Sequence, residues 1–517
     1  MKLLFFVISI ACICYTGLAQ KPNIIYIMTD DQSENAISAY NKTLIATPNI
    51  DRIAKEGIRF TNFFVGNSIC GPVRATLLTG QHSHKNGMKD NRTRFDSSKI
   101  TLPKLMQQAG YQTAHVGKWH LQSYPTGFDY WKIFPGQGFY YDPRFIVMNG
   151  DTVQQTGYAT DLVTDEAMLW MKEKRDLSKP FLLFMHYNAP HRNFFPSPKY
   201  IKQYSTKKFL EPATLYSDTA GRGSAWRIQT MSILYDMKLC SDLKVDPAYL
   251  MDNPLLRPDS AEINYYHSIM QRIPEKQRKQ IKEIYTERGK ILQEQKPTGK
   301  KLLALKYQWY MQDYLACVAS VDENIGRMSK FLDSSGLSKN TVVIYTSDQG
   351  FYLGENGWFD KRFMYDVSMR TPLLIRWPQK TKAGVVAAQM LQNIDLAPTM
   401  LDLAGAVVPG WMQGVSFKPI LLNNKAPSLH PSLYYHYYEF GIDHSVLPHL
   451  GIRAKRYKLI YFYTVNEWQF YDLQNDTQEQ NNLIHSKEHE AILQRLKMEL
   501  IQLRKHYDDT GPAGELK

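Results

Sequence analysis

Four short apolar runs in this sequence end in residues that can do chemistry. Asn23 to Met28 leads into Thr29-Asp30-Asp31, and Thr341 to Tyr345 leads into Ser347-Asp348-Gln349-Gly350. Thr113 to Val116 leads into Gly117-Lys118-Trp119-His120, and the run from Phe181 leads to Pro190-His191. Those ends supply three carboxylates, one carboxamide, one ammonium and two imidazoles. Three carboxylates and an amide oxygen form an all-oxygen set, which suits a hard cation such as Ca²⁺ or Mg²⁺. Each part also has a plain structural reading. An Asp pair after a strand caps the next helix, and Asp-Gln-Gly makes a turn.

The densest local pattern is Ser68-Ile69-Cys70-Gly71-Pro72-Val73-Arg74, continuing through Leu78-Thr79-Gly80. Pro72 suits the first turn of a helix, and Ala75 to Leu78 continue one. Cys70 then sits at a helix N-terminus, where the dipole favours an anion, and Arg74 adds a positive charge one turn on. The plain alternative is a buried Cys on a loop before a helix. With Pro and Arg each near ~5% of residues, five cysteines give Cys-x-Pro-x-Arg about once in a hundred such chains.

The elements that must carry these residues follow from the pattern. The apolar runs read as strands buried on both faces of a parallel sheet. Helical patterns such as Leu102 to Ala109 and Asp161 to Glu173 alternate with them, and Gly110 is placed as a C-cap. In such sheets ligands bind beyond the carboxyl ends of the strands, which is where the polar residues fall. Ala220 to Leu332 reads as a helical insertion with a solvated basic face. After the helix Asn393 to Ala406, short antiparallel strands are predicted at His436 to Phe440, Gly451 to Ala454, Tyr457 to Tyr463 and Trp468 to Asp472. Ser486 to His506 reads as an amphipathic helix. The expected organisation is a leader over 1–19, a catalytic α/β domain over 20–422 with its insertion at about 220–332, and a C-terminal α+β subdomain over 423–517.

Composition sets the outer bounds. The 517 residues are 44% hydrophobic and 21% charged, which excludes global disorder. Lys2, the apolar stretch Leu3 to Cys14 and Gly17-Leu18-Ala19 have the order of a secretory signal peptide. That implies an exported protein, periplasmic or extracellular, without a lipid anchor. No later segment is long and apolar enough to span a membrane. Removing the leader leaves Cys70, Cys240 and Cys317, an odd number, so at least one cysteine is special. Cys240 and Cys317 lie in helical stretches and read as buried free thiols. Asn41, Asn91 and Asn475 stand in glycosylation-type triplets, which are common by chance. A net charge of +13 favours an anionic partner. No nucleic-acid motif accompanies it, and composition alone does not choose among a membrane surface, an acidic small molecule and a glycan.

Cys70-Gly71-Pro72-Val73-Arg74 with Leu78-Thr79-Gly80 resembles the signature of the type I sulfatases. The resemblance covers nearly the whole mature chain, in order: Lys21-Pro22-Asn23, Asp30-Asp31, Thr47-Pro48-Asn49-Ile50-Asp51-Arg52-Ile53-Ala54, the Cys70 motif, Gly117-Lys118-Trp119-His120, Pro190-His191, Asp348-Gln349-Gly350 and Lys361. Lys361 is matched through Tyr365-Asp366 and Arg370-x-Pro372. The resemblance implies an alkaline-phosphatase-like fold with a mixed, mostly parallel sheet flanked by helices. It implies oxidation of Cys70 to formylglycine by a maturating enzyme. It assigns one Ca²⁺ to Asp30, Asp31, Asp348, Gln349 and the modified Cys70, although many relatives carry Asn at the place of Gln349. Lys118, His120, His191 and Lys361 would line the sulfate pocket, with Arg74 neutralising charge. His191 would protonate the departing alcohol and His120 would act as base.

Gly157 to Asp161, Ala189 to Asn193 and Gly350 to Tyr365 bring the chain nearest to the bacterial N-acetylglucosamine-6-O-sulfatases of heparan-type or mucin-type glycans. Asp360 and Arg362, flanking Lys361, are expected at the pocket rim, with His444 and His449 reaching in from the C-terminal subdomain. For each histidine a hydrogen bond at the subdomain interface is the alternative. Other enzyme readings are a sulfatase for a 2-O-sulfated uronate or a galactose sulfate, and a two-zinc phosphodiesterase of the same superfamily. A silent sulfated-glycan binder is the non-enzyme reading.

Overall fold

The computed structural model describes residues 20–217, 222–441, 445–514 and 516. The leader assigned to 1–19 and the candidate His444 lie outside the described residues. The strands are β1 Asn23–Thr29, β2 Ile58–Phe60, β3 Phe63–Phe64, β4 Gln112–Lys118, β5 Tyr130–Phe134, β6 Arg144–Val147, β7 Thr152–Gln154, β8 Phe181–His186, β9 Thr341–Ser347, β10 Leu373–Arg376, β11 Val385–Ala387, β12 Leu391–Gln392, β13 Ser432–Tyr437, β14 His449–Ala454, β15 Tyr457–Phe462 and β16 Glu467–Asp472. Ten of them form one sheet in the order β11-β2-β10-β9-β1-β8-β4-β5-β6-β7. Its centre is parallel: β1 pairs with β8 and β9, and β4 with β8 and β5. Antiparallel pairs appear at β10 and at β6–β7.

The central strands are apolar throughout because both faces are covered. Every residue of β1, β8 and β9 is buried. Alternation along β1 divides the core in two. Ile25 and Ile27 point to one side, where they pack with Val163 and Ala167 of the helix Ala159–Leu169 and Leu315 and Val318 of the helix Gly299–Ser334. Ile24, Tyr26 and Met28 face the other, against Leu77 and Leu78 of the helix Cys70–Thr79 and Met400 and Leu401 of the helix Leu396–Leu403. At about 1.5–3 kcal/mol per buried large apolar side chain, the two layers hold the strand ends rigidly.

The stretch 220–332 is less uniform than its pattern predicts. Residues 229–259 are irregular apart from the short turn Pro247–Tyr249, and Cys240 lies there rather than in a helix. The Lys/Gln-rich stretch forms the helix Glu275–Gln295, with Lys276, Lys279, Lys282 and Lys290 exposed and Ile281, Tyr285 and Leu292 buried. The following helix spans 36 residues, and residues 309–322 of it are buried without a break. Its central part is core, not excursion. Cys240 and Cys317 are buried and free.

Beyond the sheet, β13 to β16 form a four-stranded antiparallel sheet under the helix Glu490–His506. Leu493, Leu496 and Leu500 of that helix pack with Ile452, Leu459 and Phe470. The first strand starts at Ser432, earlier than the pattern suggests, because Leu433 and Tyr435 already alternate inward.

Candidate active site

The strand ends converge on Cys70. That residue is the first of a helix whose N-cap is the extended Ile69, and Pro72 takes a first-turn position that needs no hydrogen-bond donor. Gly80 ends the helix at φ 62°, with its N–H donated to Thr76 O. All ten helix residues are buried, including Arg74. The Cys70 Sγ lies 3.4 Å from Asp30 Oδ1 and 3.5 Å from Gln349 Nε2. Asn91 Oδ1 accepts the Gly71 N–H at 2.9 Å, tying the helix start to a neighbouring loop.

Three carboxylates and three cations interlock around this point. Lys118 Nζ pairs with Asp30 Oδ2. Arg74 Nη2 lies 2.9 Å from Asp348 Oδ2, and its Nη1 donates to Lys118 O at 2.9 Å. Lys361 Nζ lies 2.6 Å from Asp31 Oδ2. Asp31 is held from behind by Tyr314 of the long helix, whose hydroxyl donates to Asp31 O at 2.7 Å and accepts from Ser33 N–H at 2.9 Å. His191 Nε2 is 3.7 Å from Asp31 Oδ2. His120 contacts Gln137 through Nε2, and its buried Nδ1 has no hydrogen-bond partner.

Burial and charge set the protonation states. Burial opposes ionisation of Asp30, but Lys118, His191 and Arg74 outweigh it and hold the carboxyl at about 2. Burial and the adjacent Asp30 carboxylate raise Asp348. Burial, then Lys118 and Arg74, keep His120 neutral. Burial also lowers His191, with Asp30 pulling the other way. Burial pushes the Cys70 thiol far above its ordinary range, and Asp30 adds to the shift. The expected stabilisation of an anion at this helix N-terminus is thus overridden.

The donor set fits a divalent cation. Carboxylate oxygens of Asp30, Asp31 and Asp348 lie within 4.8 Å of one another, all buried. Gln349 Nε2 rests on Asp31 Oδ1, while its buried Oε1 has no hydrogen-bond partner. Amide nitrogen and oxygen exchange places by a simple flip, so the carbonyl can turn into the cluster. The three carboxylates are balanced by Arg74, Lys118 and Lys361. A divalent cation would make the centre doubly positive, as an anion-binding site requires.

The structure therefore brings Asp30, Asp31, Cys70, Arg74, Lys118, His120, His191, Asp348, Gln349 and Lys361 together. Four residues at the site occupy the left-handed region: Asp31 at φ 66°, His120 at 57°, Asp360 at 78° and Arg362 at 103°. Each such conformation costs about 1–3 kcal/mol, which the packed strand ends hold in place. Asp360 and Arg362, expected at the rim, are buried instead. Arg362 lies 3.4 Å from Asp360 and 3.2 Å from Glu439. His449 does not reach the site. It is fully buried in β14, where its Nε2 accepts Met364 N–H at 3.0 Å and its Nδ1 pairs with Leu447 O at 2.8 Å. It serves the subdomain interface.

Sequence reasoning missed Asn91, Gln137, Glu439 and Tyr435, whose hydroxyl donates to Arg362 O at 2.6 Å. None sits in a chemical motif, and only Asn91 carried any mark, its triplet. His186 and His115 were also missed. They lie behind Arg74, His186 Nδ1 at 3.4 Å from Nη1, and burial keeps both neutral.

The model of the sulfatase family matches residues 22–406, and that of the N-sulphoglucosamine sulphohydrolase C-terminal region matches residues 354–506. The chain is 46% identical over 499 residues to an N-acetylglucosamine-6-O-sulfatase of Bacteroides thetaiotaomicron, covering 95% of this chain and 88% of that one. It superposes with a TM-score of 0.91, at 45% identity, on the solved structure of BT4656 in complex with its substrate D-glucosamine-2-N,6-O-disulfate, over 96% of this chain and 99% of that one. The phosphonate monoester hydrolase of Agrobacterium radiobacter, 19% identical with a TM-score of 0.66 over 94% and 96% of the two chains, shares the fold alone.

Proposed function

Because the chain belongs to the sulfatase family, we propose that it hydrolyses the 6-O-sulfate of N-acetylglucosamine in sulfated glycans, with Cys70 converted to formylglycine by a maturating enzyme. The observation that carries this reading is Cys70 itself. It sits amid the carboxylate cluster and the cations, yet its thiol is held protonated and is a poor nucleophile as it stands.

Asp30, Asp31, Asp348 and Gln349 would hold one Ca²⁺, which supplies positive charge to the sulfate oxygens, while an oxidised, hydrated residue 70 supplies a hydroxyl nucleophile. Lys118 and Lys361 orient the sulfate and neutralise it; Arg74 fixes the helix start through Asp348. His191 has the exposure for a general acid. Its side chain is 17% exposed, against 0% for Lys118 and 3% for Lys361, which leaves it open to a leaving alcohol whose oxygen it would protonate together with Lys361. His120, neutral and with Nδ1 free of protein partners, accepts a proton in the second half of the cycle. Asp360 and Arg362 would present their ion pair to the sugar hydroxyls.

The superfamily's two-zinc phosphodiesterases need histidine-rich metal sites. Among the described residues, the clusters able to bind metal here contain one histidine, His191. The signal-peptide pattern expected over 1–19 supports an exported enzyme, and no described helix is long and apolar enough to cross a membrane. A panel of defined sulfated sugars tests the proposal. Sulfate release should be fastest from 6-sulfated N-acetylglucosamine; preference for a 2-O-sulfated uronate or a galactose sulfate would overturn the substrate assignment.

A further inference from the structure

His191 also forms part of the wall of a second space. A cavity of about 460 Å³ opens beside it, lined by Phe139, Tyr140, Tyr265, Ile269 and Arg272 among others. Its size falls within the ~300–1,000 Å³ of small-molecule sites, and its walls carry the rings of Phe139, Tyr140, Tyr141, Phe195 and Tyr265. Its walls are the loop after β5, the segment from His191 to Phe195 and the helix Ser260–Arg272, whose Tyr266 and Met270 pack into the core. Neither Asp360 nor Arg362 lines it. Tyr265 is anchored by its hydroxyl to Asn193 Oδ1 at 2.8 Å, and Tyr140 by its hydroxyl to His191 O at 2.6 Å.

Arg272 is the charged group that gives this space a preference. Its guanidinium lies 3.7 Å from the centre of the Phe139 ring. Among the described residues it makes no ion pair, whereas the neighbouring Arg192 is committed to Asp242 at 2.7 Å. A guanidinium stacked on an aromatic face and lacking a carboxylate is placed to take a carboxylate or sulfate in bidentate fashion.

The direction of the substrate connects this cavity to the reaction. Cys70, Lys118 and Lys361 are buried, so the sulfate end points inward. If His191 protonates the ester oxygen as proposed above, whatever is attached to the sulfated sugar continues outward past that residue, whose side chain is 17% exposed and lines the cavity. We propose that the cavity is a subsite for the next sugar of the chain and that Arg272 recognises an anionic group on it, so that the natural substrate is an acidic, uronate-bearing glycan rather than a neutral mucin-type chain. This rests on a sulfated amino sugar occupying the reaction site. The aromatic walls stack on the neighbouring ring, and Arg272 sets the sign of the charge it carries.

The test is calorimetric titration of the full-length Cys70→Ala protein, which binds without turnover. Two disaccharides are compared, 6-sulfated N-acetylglucosamine linked to glucuronic acid and the same sugar linked to galactose. The uronate-bearing ligand should bind about tenfold tighter, the size of a good hydrogen bond to a charged group. Adding Arg272→Ala should bring the ratio to about one, and Arg272→Glu should reverse it. Unchanged binding of the galactose ligand shows that the variants are folded. Equal affinities in the parent, or a ratio that survives Arg272→Ala, would overturn the subsite. Preserved binding preference with no sulfate release by the native enzyme would instead refute the amino-sugar sulfatase reading and leave the subsite standing.

Discussion

At Cys70 a helix N-terminus that favours an anion meets full burial beside the Asp30 carboxylate, and burial prevails. The residue is therefore best understood as the precursor of a different nucleophile. Replacing Cys70 by Ala should lower kcat by at least about a thousandfold, as loss of a nucleophile does elsewhere; turnover near the parent rate in a steady-state assay would refute the mechanism. Gln349 stands where many relatives carry Asn, and its buried carbonyl oxygen, without a hydrogen-bond partner, would serve as the proposed ligand. Gln349→Leu should weaken Ca²⁺ binding by at least about tenfold in a direct titration, while Gln349→Asn keeps most of it. Asp30, Asp31, Asp348 and Lys118 were legible because they stand at strand ends, whereas Lys361, on the segment between β9 and β10, was reached only through the family resemblance. Asn91, Gln137 and Glu439 were not, since each acts through a contact distant in sequence, such as Asn91 N–H to Glu439 at 3.2 Å. His449 misled for the converse reason. A histidine near a site in sequence order carries no sign of being buried with both ring nitrogens bonded.

Among the elements, the central strands were readable because burial on both faces leaves an unbroken apolar run. β6, β7 and β11 were not. They are short strands at the two ends of the sheet, and β7, at its edge, is exposed along its length, so no face is written into its sequence. The long helix was read as insertion because its polar N-terminal end continues the basic stretch; its core part was hidden by aromatic residues that fit either reading. Tyr314, in the buried central part of that helix, bridges Ser33 and Asp31. Tyr314→Phe should cost about 1–2 kcal/mol in chemical denaturation and lower kcat by loosening Asp31. Gly117 presents a sharper constraint. It has φ 102°, and a Cβ there would stand 2.0 Å from His186 O. Gly117→Ala should therefore destabilise the fold by more than about 2 kcal/mol, since backbone of β4 or β8 must shift. An unchanged denaturation midpoint would show that the strand end is not held as described.

Across the whole molecule, the C-terminal subdomain is joined to the sheet domain through buried polar contacts, Glu439 with Arg362 and His430 with Asp395 at 2.8 Å. Burial lowers the His430 pKa, but the Asp395 hydrogen bond and charge outweigh it and leave it raised above 6.5. The folded state then binds this proton more tightly than the unfolded state. The stabilisation is full below the unfolded value near 6.5 and is lost as pH rises through the folded value. His430→Gln should therefore lower Tm more at about pH 6 than at about pH 9; equal losses at both would exclude this linkage. The exposed lysines of the Glu275–Gln295 helix contribute to the net charge of +13, a balance that would favour approach of a polyanionic chain. Release of sulfate from 6-sulfated N-acetylglucosamine, measured on preparations in which the mass of the Cys70 peptide has been determined, tests the central claim most directly. The rate should rise in proportion to the fraction of residue 70 in which sulfur has been replaced by oxygen with loss of two hydrogens. Full turnover by material in which residue 70 is entirely cysteine would contradict the account.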